Sequence, residues 1–353
     1  MSKKVSLIIV ILIVASLMLA ACQPAATEAP AEVKFKACEV TDTGGIDDKS
    51  FNATAWKGVE DAISQFGIEG KYLESQEVAD YEKNLNAFIE EKCDIIITVG
   101  FLLGDATKAS AEANPDMKYS IVDFSYDPPL PNVVGQVFQT DEAAFLAGYL
   151  AAGVTKTGKV GTFGGLPIPT VTIFMDGFAR GVLKYNEVHG TNVEVLGWDI
   201  NNPDGGLFTM SFDDQTKGKE FGIQLLDEGA VIIMPVAGPV GLGTAAAIKE
   251  RGNAYIIGVD SDWALTNPDY ADITLTSVMK TMDATTVTVI KHAMDGTFTG
   301  GVEAGTLANK GVDLAPYHDL DSMVSADLKA EIEGLRQDII DGKVTFSDAY
   351  RIK

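Results

Sequence analysis

The sequence predicts an α/β protein with two lobes, each built on a parallel β-sheet that is covered by helices on both faces. Short apolar segments, such as residues 94–99, alternate with segments of helical periodicity along the chain. Strands that are apolar without alternation are typical of parallel sheets, because both faces of such sheets are buried. The alternation occurs twice, with a break at residues 139–141, and the 353-residue chain is longer than one hydrophobic core usually organises. These observations predict two sheets that face each other across a cleft.

Apolar segments and helical periodicity define the predicted elements in chain order. Strands are predicted at residues 35–41, 69–74, 94–99, 118–123, 133–138, 159–163, 192–198, 230–236, 254–259 and 273–278. Helices are predicted near residues 53–66, 80–91, 104–113, 141–154, 173–188, 216–228, 241–251, 280–295 and 326–340. We expect the chain to cross between the lobes near residues 140, 262 and 312. Lobe 1 would then comprise residues 34–139 plus 263–311, and lobe 2 residues 140–262 plus 312–353.

The N-terminus has the pattern of an export signal followed by a tether. Two lysines precede an uncharged apolar run at residues 5–19, and Ala20-Ala21-Cys22 follows it. This order is typical of bacterial lipoproteins, so residues 1–21 are predicted to be a signal peptide and Cys22 to carry lipid. A transmembrane anchor is the alternative, but the run is shorter than the ~20 residues of a spanning helix. Residues 22–33 are expected to tether the exported protein to the cell membrane, in the periplasm if an outer membrane exists.

The composition limits the classes of partner and cofactor. A formal net charge of -23 argues against nucleic acid binding and against electrostatic docking on anionic lipid. His189, His292 and His318 are isolated, so we expect no zinc site, and nothing in the sequence indicates another cofactor. Export would permit a disulfide between Cys38 and Cys93, but both are predicted in or beside buried strands at different heights. We interpret them as two separate core residues.

The turn at residues 41–52 is the strongest indication of a ligand site. It follows a predicted buried strand and precedes a predicted helix, at the sheet edge where open α/β sheets bind their ligands. It offers three carboxylates, an amide, free backbone N–H groups and the ring of Phe51. Two of the carboxylates, Asp47 and Asp48, have the alternative role of capping the first helix. The mixture favours a small polar ligand with a flat face.

Six further strand-end turns are expected to meet this turn at the cleft. They are residues 100–102, 123–125, 163–165, 197–212, 237–239 and 260–263. Most of them carry glycine or an aromatic residue, and several carry an acid. Their convergence predicts a cleft that closes on a neutral, hydroxyl-rich, aromatic molecule.

The motif Thr41-Asp-Thr-Gly-Gly-Ile-Asp-Asp-Lys-Ser-Phe-Asn52 resembles the opening motif of the basic membrane protein (BMP) family, the purine-nucleoside-receptor-like substrate-binding lipoproteins. The likeness continues through residues 161–165, 174–178, 211–219, 236–238, 258–260 and 314–317, over nearly the whole mature chain. The resemblance implies a type I periplasmic-binding-protein fold of two Rossmann-like lobes. It also implies a monomer that performs no chemistry, captures a purine nucleoside and delivers it to the permease and ATPase of an ABC importer.

The resemblance further implies which side chains hold the base of the nucleoside. Phe51 and Phe212 would stack on its two faces, which suits the geometry of aromatic rings. Asn52 and Asp123 would form hydrogen bonds with the ring nitrogens and carbonyl groups at its edge. These four residues come from both predicted lobes, so the base would be enclosed by the cleft.

Four more residues are assigned to the sugar side on the same basis. Asp260 would accept both ribose hydroxyls, and Lys280 would keep that carboxylate charged and contact the sugar. Gly238 would let the backbone approach the ligand closely. Asp42 would hold the first turn or reach the sugar. For Lys280 the alternative is an ordinary lysine at a helix start.

Residues 199–210 depart from the family pattern and are interpreted as an insertion. The insertion could reposition Phe212 or transfer the stacking role to Phe208. A third interpretation is that Phe212 is an ordinary core residue.

Other functional classes are the alternatives to nucleoside transport. Residues 42–48 are close to the calcium-binding motif of nucleoside hydrolases, but Gly44 and Gly45 stand where that motif has aspartate and proline. The substitution removes an oxygen ligand that Ca²⁺ would need. Residues 241–246 fit a dinucleotide-binding fingerprint loosely, and tight packing of a helix on a sheet explains their glycines equally well. A nucleoside sensor or a surface lipoprotein without a transport role also fits the sequence.

Overall fold

A computed structural model gives the structure of residues 34–352. The predicted signal peptide, Cys22 and the tether lie outside these residues. The described residues form twelve strands: β1 (Lys36–Val40), β2 (Glu69–Leu73), β3 (Ile95–Val99), β4 (Lys118–Val122), β5 (Val133–Phe138), β6 (Lys159–Gly164), β7 (Glu194–Leu196), β8 (Ile232–Val236), β9 (Tyr255–Asp260), β10 (Thr274–Lys280), β11 (Gly301–Gly305) and β12 (Val312–Leu314).

The same residues form ten α-helices. They are α1 (Phe51–Phe66), α2 (Asp80–Glu90), α3 (Gly104–Ala113), α4 (Thr140–Val154), α5 (Pro169–His189), α6 (Gln215–Asp227), α7 (Gly241–Arg251), α8 (Trp263–Thr266), α9 (Met282–Met294) and α10 (Ala326–Ile340). Within the described part of the chain, no helix combines the length and the hydropathy of a membrane-spanning segment.

The strands form two six-stranded sheets, which confirms the predicted α/β fold class. The first sheet has the order β11-β5-β4-β3-β1-β2 and the second β12-β10-β9-β8-β6-β7. Every strand pair of the described sheets is parallel except β10 with β12. Strands β11 and β12 were not predicted. Both strands lie at sheet edges. Strand β11 is largely exposed and is bounded by glycines, and β12 has only 3 residues, so neither contains an apolar run.

The second crossing between the lobes differs from the prediction. Strand β10 pairs with β9 in the second sheet, so residues 263–280 do not belong to the first lobe as expected. The chain leaves the second sheet at Thr281, after which α9 packs against α1 in the first lobe. The turn at 260–263 resembles a crossing in sequence, but Trp263 is buried in the second lobe and donates its ring N–H to the Val259 carbonyl (3.0 Å). The other crossings lie between β5 and α4 and between β11 and β12.

Cys38 and Cys93 form a disulfide, with 6.1 Å between their Cα atoms. The interpretation of two separate core residues was therefore wrong. Cys93 precedes β3 and donates its N–H to the carbonyl of Phe88 (3.1 Å). Because it lies outside the strand, the direction of its side chain does not follow the alternation of side chains along β3. The disulfide closes a loop with a sequence separation of 55, a length for which a cross-link typically stabilises a fold by ~2–4 kcal/mol.

Both faces of the first sheet are buried at its inner strands β1, β3, β4 and β5, whereas the edge strands β2 and β11 are largely exposed. On one face Ile95 and Ile97 pack with Val59 of α1, and on the other Ile96 packs with Phe88 of α2. In the second lobe α4 is buried on most of its surface and lies against α5, where a Cβ atom on Gly148 would be 1.9 Å from a backbone oxygen. This close packing makes α4 a fixed support directly after the first crossing.

Candidate ligand-binding site

A cavity is bordered by the carboxyl ends of strands from both sheets. Open α/β sheets bind their ligands at this end of their strands. All eight residues that the sequence analysis assigned to the site line this cavity: Asp42, Phe51, Asn52, Asp123, Phe212, Gly238, Asp260 and Lys280. The structure therefore brings together residues that are separated by as many as 238 positions, from Asp42 to Lys280 (280 − 42).

Asp48 organises the first turn and the start of α1. Its carboxylate oxygens accept the backbone N–H groups of Ser50 (2.9 Å), Asn52 (2.8 Å) and Ala53 (3.0 Å). N–H groups at a helix start lack partners within the helix, so the expected capping role of Asp48 is confirmed. Asp48 also lines the cavity, although no ligand role was predicted for it. Burial raises the pKa of Asp48 to about 7, against the opposing effect of these hydrogen bonds.

The side chain of Asn52 forms its hydrogen bonds within this turn. Its amide nitrogen donates to Asp42 Oδ1 (2.8 Å) and to Asp48 Oδ2 (3.1 Å), which uses both of its hydrogens. Its Oδ1 accepts the backbone N–H of Asp42 (3.3 Å). Asn52 thus holds two carboxylates in place, and its carbonyl oxygen is the atom that keeps capacity for a further hydrogen bond. Burial raises the pKa of Asp42, and the hydrogen bonds from Asn52 and Gly44 oppose the rise.

Lys280 forms ion pairs with both lobes. Its Nζ atom lies 2.8 Å from Asp123, which follows β4 in the first sheet, and 3.1 Å from Asp260 at the end of β9 in the second sheet. The Lys280 side chain is only 3% exposed. Burial lowers the pKa of Lys280, but the two carboxylates outweigh this effect and give a net rise, so the lysine stays charged. The alternative of an ordinary helix-start lysine is therefore wrong.

Three phenyl rings surround the ammonium group of Lys280. Its Nζ atom lies 4.6 Å from the ring centroid of Phe51, 5.4 Å from that of Phe174 and 5.9 Å from that of Phe138. Cations within about 6 Å of an aromatic ring are attracted to its face. Phe174 lines the cavity and was missed by the sequence analysis, because a phenylalanine in an apolar helical segment is more typical of core packing.

The backbone at the two strand ends has an uncommon conformation. Asp123 and Asp260 have φ angles of 65° and 69°, in the left-handed region that few residues with a side chain adopt. Residues in such conformations cluster at functional sites, where the surrounding structure holds them. Gly238 has a φ of 53°, and a Cβ atom there would meet nothing within 4 Å. The backbone itself thus borders the cavity at Gly238.

Two glycines at the end of β6 make room for two phenyl rings. A Cβ atom on Gly165 would lie 2.3 Å from the ring of Phe212, and one on Gly164 would lie 2.7 Å from the ring of Phe208. Phe212 lines the cavity, whereas Phe208 packs beside Trp198 with 6.3 Å between ring centroids. Of the two candidate stacking residues, it is therefore Phe212 that borders the cavity.

The lobes also contact each other directly beside the cavity. Ser50 Oγ donates to the carbonyl oxygen of Val259 (3.1 Å), and Ser261 Oγ donates to that of Lys49 (3.1 Å). Ser50 and Lys49 belong to the first turn, and the other two residues lie at the end of β9. Such contacts can form only when the two lobes are close together, so they favour a closed cleft.

The family model for PnrA-like ABC transporter substrate-binding proteins matches residues 35–348. The chain is 29% identical over 366 residues to the ABC transporter nucleoside-binding protein BmpA of Lactococcus lactis subsp. cremoris (strain MG1363), over 98% of this chain and 99% of that relative. It is 33% identical over 307 residues to basic membrane protein A of Borreliella burgdorferi, over 85% of this chain and 84% of that protein.

A solved structure supports the same assignment. The crystal structure of an ABC transporter system solute-binding protein from Aeropyrum pernix K1 superposes with a TM-score of 0.80 and 27% identity, over 89% of this chain and 93% of that one. The predicted two-lobe binding-protein fold is confirmed. The matching family consists of substrate-binding proteins and not of enzymes, which overturns the hydrolase alternative. The chain belongs to the PnrA-like family of ABC transporter substrate-binding proteins.

Proposed function

We propose that this protein captures a purine nucleoside in the cavity between its lobes and delivers it to an ABC importer. The observation that carries the proposal is the group formed by Lys280, Asp123 and Asp260 beside the ring of Phe51. A buried, charged and hydrogen-bonding cluster next to an aromatic face suits a ligand that has hydroxyl groups and a flat ring. The relative from Lactococcus lactis is named as a nucleoside-binding protein, which supports this class of ligand.

The base would lie between Phe51 and Phe212, which border the cavity from different lobes. Stacking of a base on an aromatic side chain contributes ~1–3 kcal/mol and tolerates different bases. Asp123 and the side-chain carbonyl oxygen of Asn52 would then form hydrogen bonds with the base edge. Discrimination among bases would rest on these few hydrogen bonds.

The sugar would lie beside Asp260, whose carboxylate can accept two hydroxyl groups and forms an ion pair with Lys280 (3.1 Å). Charge-assisted hydrogen bonds of this kind are about twice as strong as neutral ones. Asp42, which lines the same cavity, is oriented by Asn52 and Gly44. Gly238 offers its backbone on the same cavity without a side chain in the way.

Capture would occur by closure of the two lobes about the three crossings. A ligand that binds the closed state more tightly than the open one shifts the population toward closure. We further propose that the protein acts outside the cytoplasm as a monomer and is anchored by lipid on Cys22. The sequence pattern at residues 5–22 supports this anchor.

The proposal is tested on the purified mature protein without its signal peptide. Denaturation followed by mass spectrometry identifies any small molecule that the protein carries, and calorimetric titration of the refolded protein measures affinity for nucleosides and free bases. We expect a purine nucleoside to be released and to bind again without cleavage. Failure of every nucleoside to bind would overturn the proposed ligand class.

A further inference from the structure

The last described residues, 344–352, belong to no helix or strand, and we call them the C-terminal strap. The strap follows α10 and packs on the second lobe through two aromatic side chains. The ring of Phe346 lies against Phe145 of α4, with 5.6 Å between centroids, and the ring of Tyr350 lies beside Trp198, at 6.1 Å. The strap is thus held by aromatic contacts along its length.

Near its end the strap carries Arg351, which binds the start of α4. Its Nε donates to Asp141 Oδ2 (2.7 Å), and its terminal nitrogen donates to Asp141 Oδ1 (3.0 Å) and to Glu142 Oε1 (3.3 Å). Such two-pronged pairing fixes both partners in orientation as well as in distance. Asp141 is only 3% exposed, so the guanidinium group offsets a buried negative charge. Burial raises the pKa of Asp141, and Arg351 opposes the rise.

These carboxylates lie at one crossing between the lobes and contact a second. Asp141 and Glu142 directly follow the first crossing, at Gln139 and Thr140. Glu142 also accepts the backbone N–H of Leu307 (2.8 Å), which lies in the third crossing between β11 and β12. Arg351 therefore connects the strap to one crossing directly and to another through Glu142.

The strap also reaches the neighbourhood of the ligand site. Tyr350 and Ile352 line a small cavity together with Thr140, Asp123 and Lys280. The last two of these residues also border the ligand cavity. Among the described residues, the buried Oγ1 of Thr140 has no hydrogen-bond partner, so the strap covers a polar and incompletely bonded part of the first crossing.

We propose that Arg351 is a positioning residue for ligand capture: by clamping the first and third crossings, the C-terminal strap stabilises the arrangement of the lobes that binds ligand. The proposal rests on the proposed function. Since the same side chains hold both crossings, loss of the clamp lowers the fraction of molecules in the binding-competent arrangement. Apparent affinity falls in proportion to that fraction.

The test compares Arg351→Ala with the wild-type protein in nucleoside titrations and in small-angle X-ray scattering without added ligand. We expect affinity to fall about tenfold, which is within the usual range for coupling between distant sites, and the radius of gyration to rise. Arg351→Lys should recover only part of the affinity, because lysine lacks the two-pronged geometry. Arg336→Ala is the matched control. Its arginine is 20% exposed, against 22% for Arg351, and it also pairs within the second lobe, but its partners are Asp313 and Glu333 and not the two acids at the first crossing.

A double variant separates positioning from simple loss of a charge partner. Asp141→Asn combined with Arg351→Ala removes the uncompensated buried charge, so thermal stability should recover while affinity stays low. Recovery of affinity together with stability would overturn the proposal, as would wild-type affinity in Arg351→Ala. If wild-type protein itself binds no nucleoside, the proposed function fails instead. In that case the scattering comparison still tests the clamp, and an unchanged radius of gyration contradicts it.

Discussion

The two walls of the cavity differ in chemistry. The first lobe contributes three carboxylates, Asp42, Asp48 and Asp123, and the hydrogen-bonded turn that orients the first two. Its apolar side chains at the cavity are Phe51, Phe101 and Leu102. The second lobe contributes one carboxylate, Asp260, and an apolar surface formed by Ile168, Val171, Phe174, Phe212, Val236, Pro239 and Val259. Lys280 comes from the second sheet and pairs with an acid of each wall.

This difference indicates that the two lobes contribute to ligand binding in different ways. The polar groups of the first wall are already held by internal hydrogen bonds, and preorganisation of this kind reduces the cost of ordering on binding. The apolar second wall would contribute to ligand binding mainly through burial, at roughly 25 cal/mol per Å² removed from water. We infer that the first lobe selects the ligand and that closure of the second lobe adds affinity.

Removing the cation that joins the walls should have the largest effect. Lys280→Met leaves the buried Asp123 and Asp260 without their partner, and breaking a buried ion pair in this way costs ~3–5 kcal/mol. Urea unfolding measures the loss. Lys291→Met is the control, because Lys291 is 55% exposed and an exposed ion pair contributes only ~0–1 kcal/mol. Equal losses in the two variants would contradict the role of Lys280.

The same variant gives a pH dependence with a definite sign. Burial already raises the pKa of Asp123, and Lys280 opposes the rise, so removing the lysine should raise that pKa further. A carboxyl whose pKa is higher in the folded state stabilises the fold at low pH and loses this contribution as pH rises through that pKa. The destabilisation should therefore be smaller near about pH 4 than near about pH 7. A constant difference across this range would contradict the coupling.

Asp260→Ala should lower the affinity for nucleosides about 100-fold and the affinity for free bases far less. Truncating a buried charged partner typically costs 2 kcal/mol or more of binding free energy. Calorimetric titration with a nucleoside and its base measures the difference. Asp262→Ala is the control, since Asp262 pairs with His318 (2.7 Å) and does not line the cavity. Equal losses of affinity for the base and the nucleoside would show that Asp260 does not contact the sugar.

Phe51→Ala should reduce affinity for every nucleoside by about 2 kcal/mol, the usual contribution of one stacking ring. The loss should be similar for different bases, because each presents a flat face. Phe208→Ala is the control, as this ring packs beside Trp198 and outside the cavity lining. Unchanged binding in the Phe51 variant would show that the ring does not contact the ligand.

Gly165→Ala should have the smallest effect, a loss of about 1–2 kcal/mol in affinity, because overpacking shifts side chains by modest amounts. The added methyl would lie 2.3 Å from the ring of Phe212, which must move. Gly334→Ala, where the new methyl meets nothing within 4 Å, provides the control. Wild-type affinity in the Gly165 variant would mean that the position of Phe212 is not critical.

Local patterns in the sequence were enough to predict most elements of the fold. The ten predicted strands and nine predicted helices are all present, because apolar periodicity depends on neighbours in the chain. The turn at 41–52 was recognisable for the same reason, since its acids, amide and ring lie within one short segment. Strands β11 and β12 were missed because neither carries a local apolar signal.

The sequence by itself thus determined the order of most elements, the position of the first turn and the family. Only the tertiary structure decided three further features: the disulfide, the second crossing at Thr281 and the place of Lys280 between two acids. Each depends on which segments become neighbours in space, and Lys280 is 157 positions from Asp123. Contacts over such distances are set by the pairing of strands and the packing of helices. No periodicity in the chain encodes them.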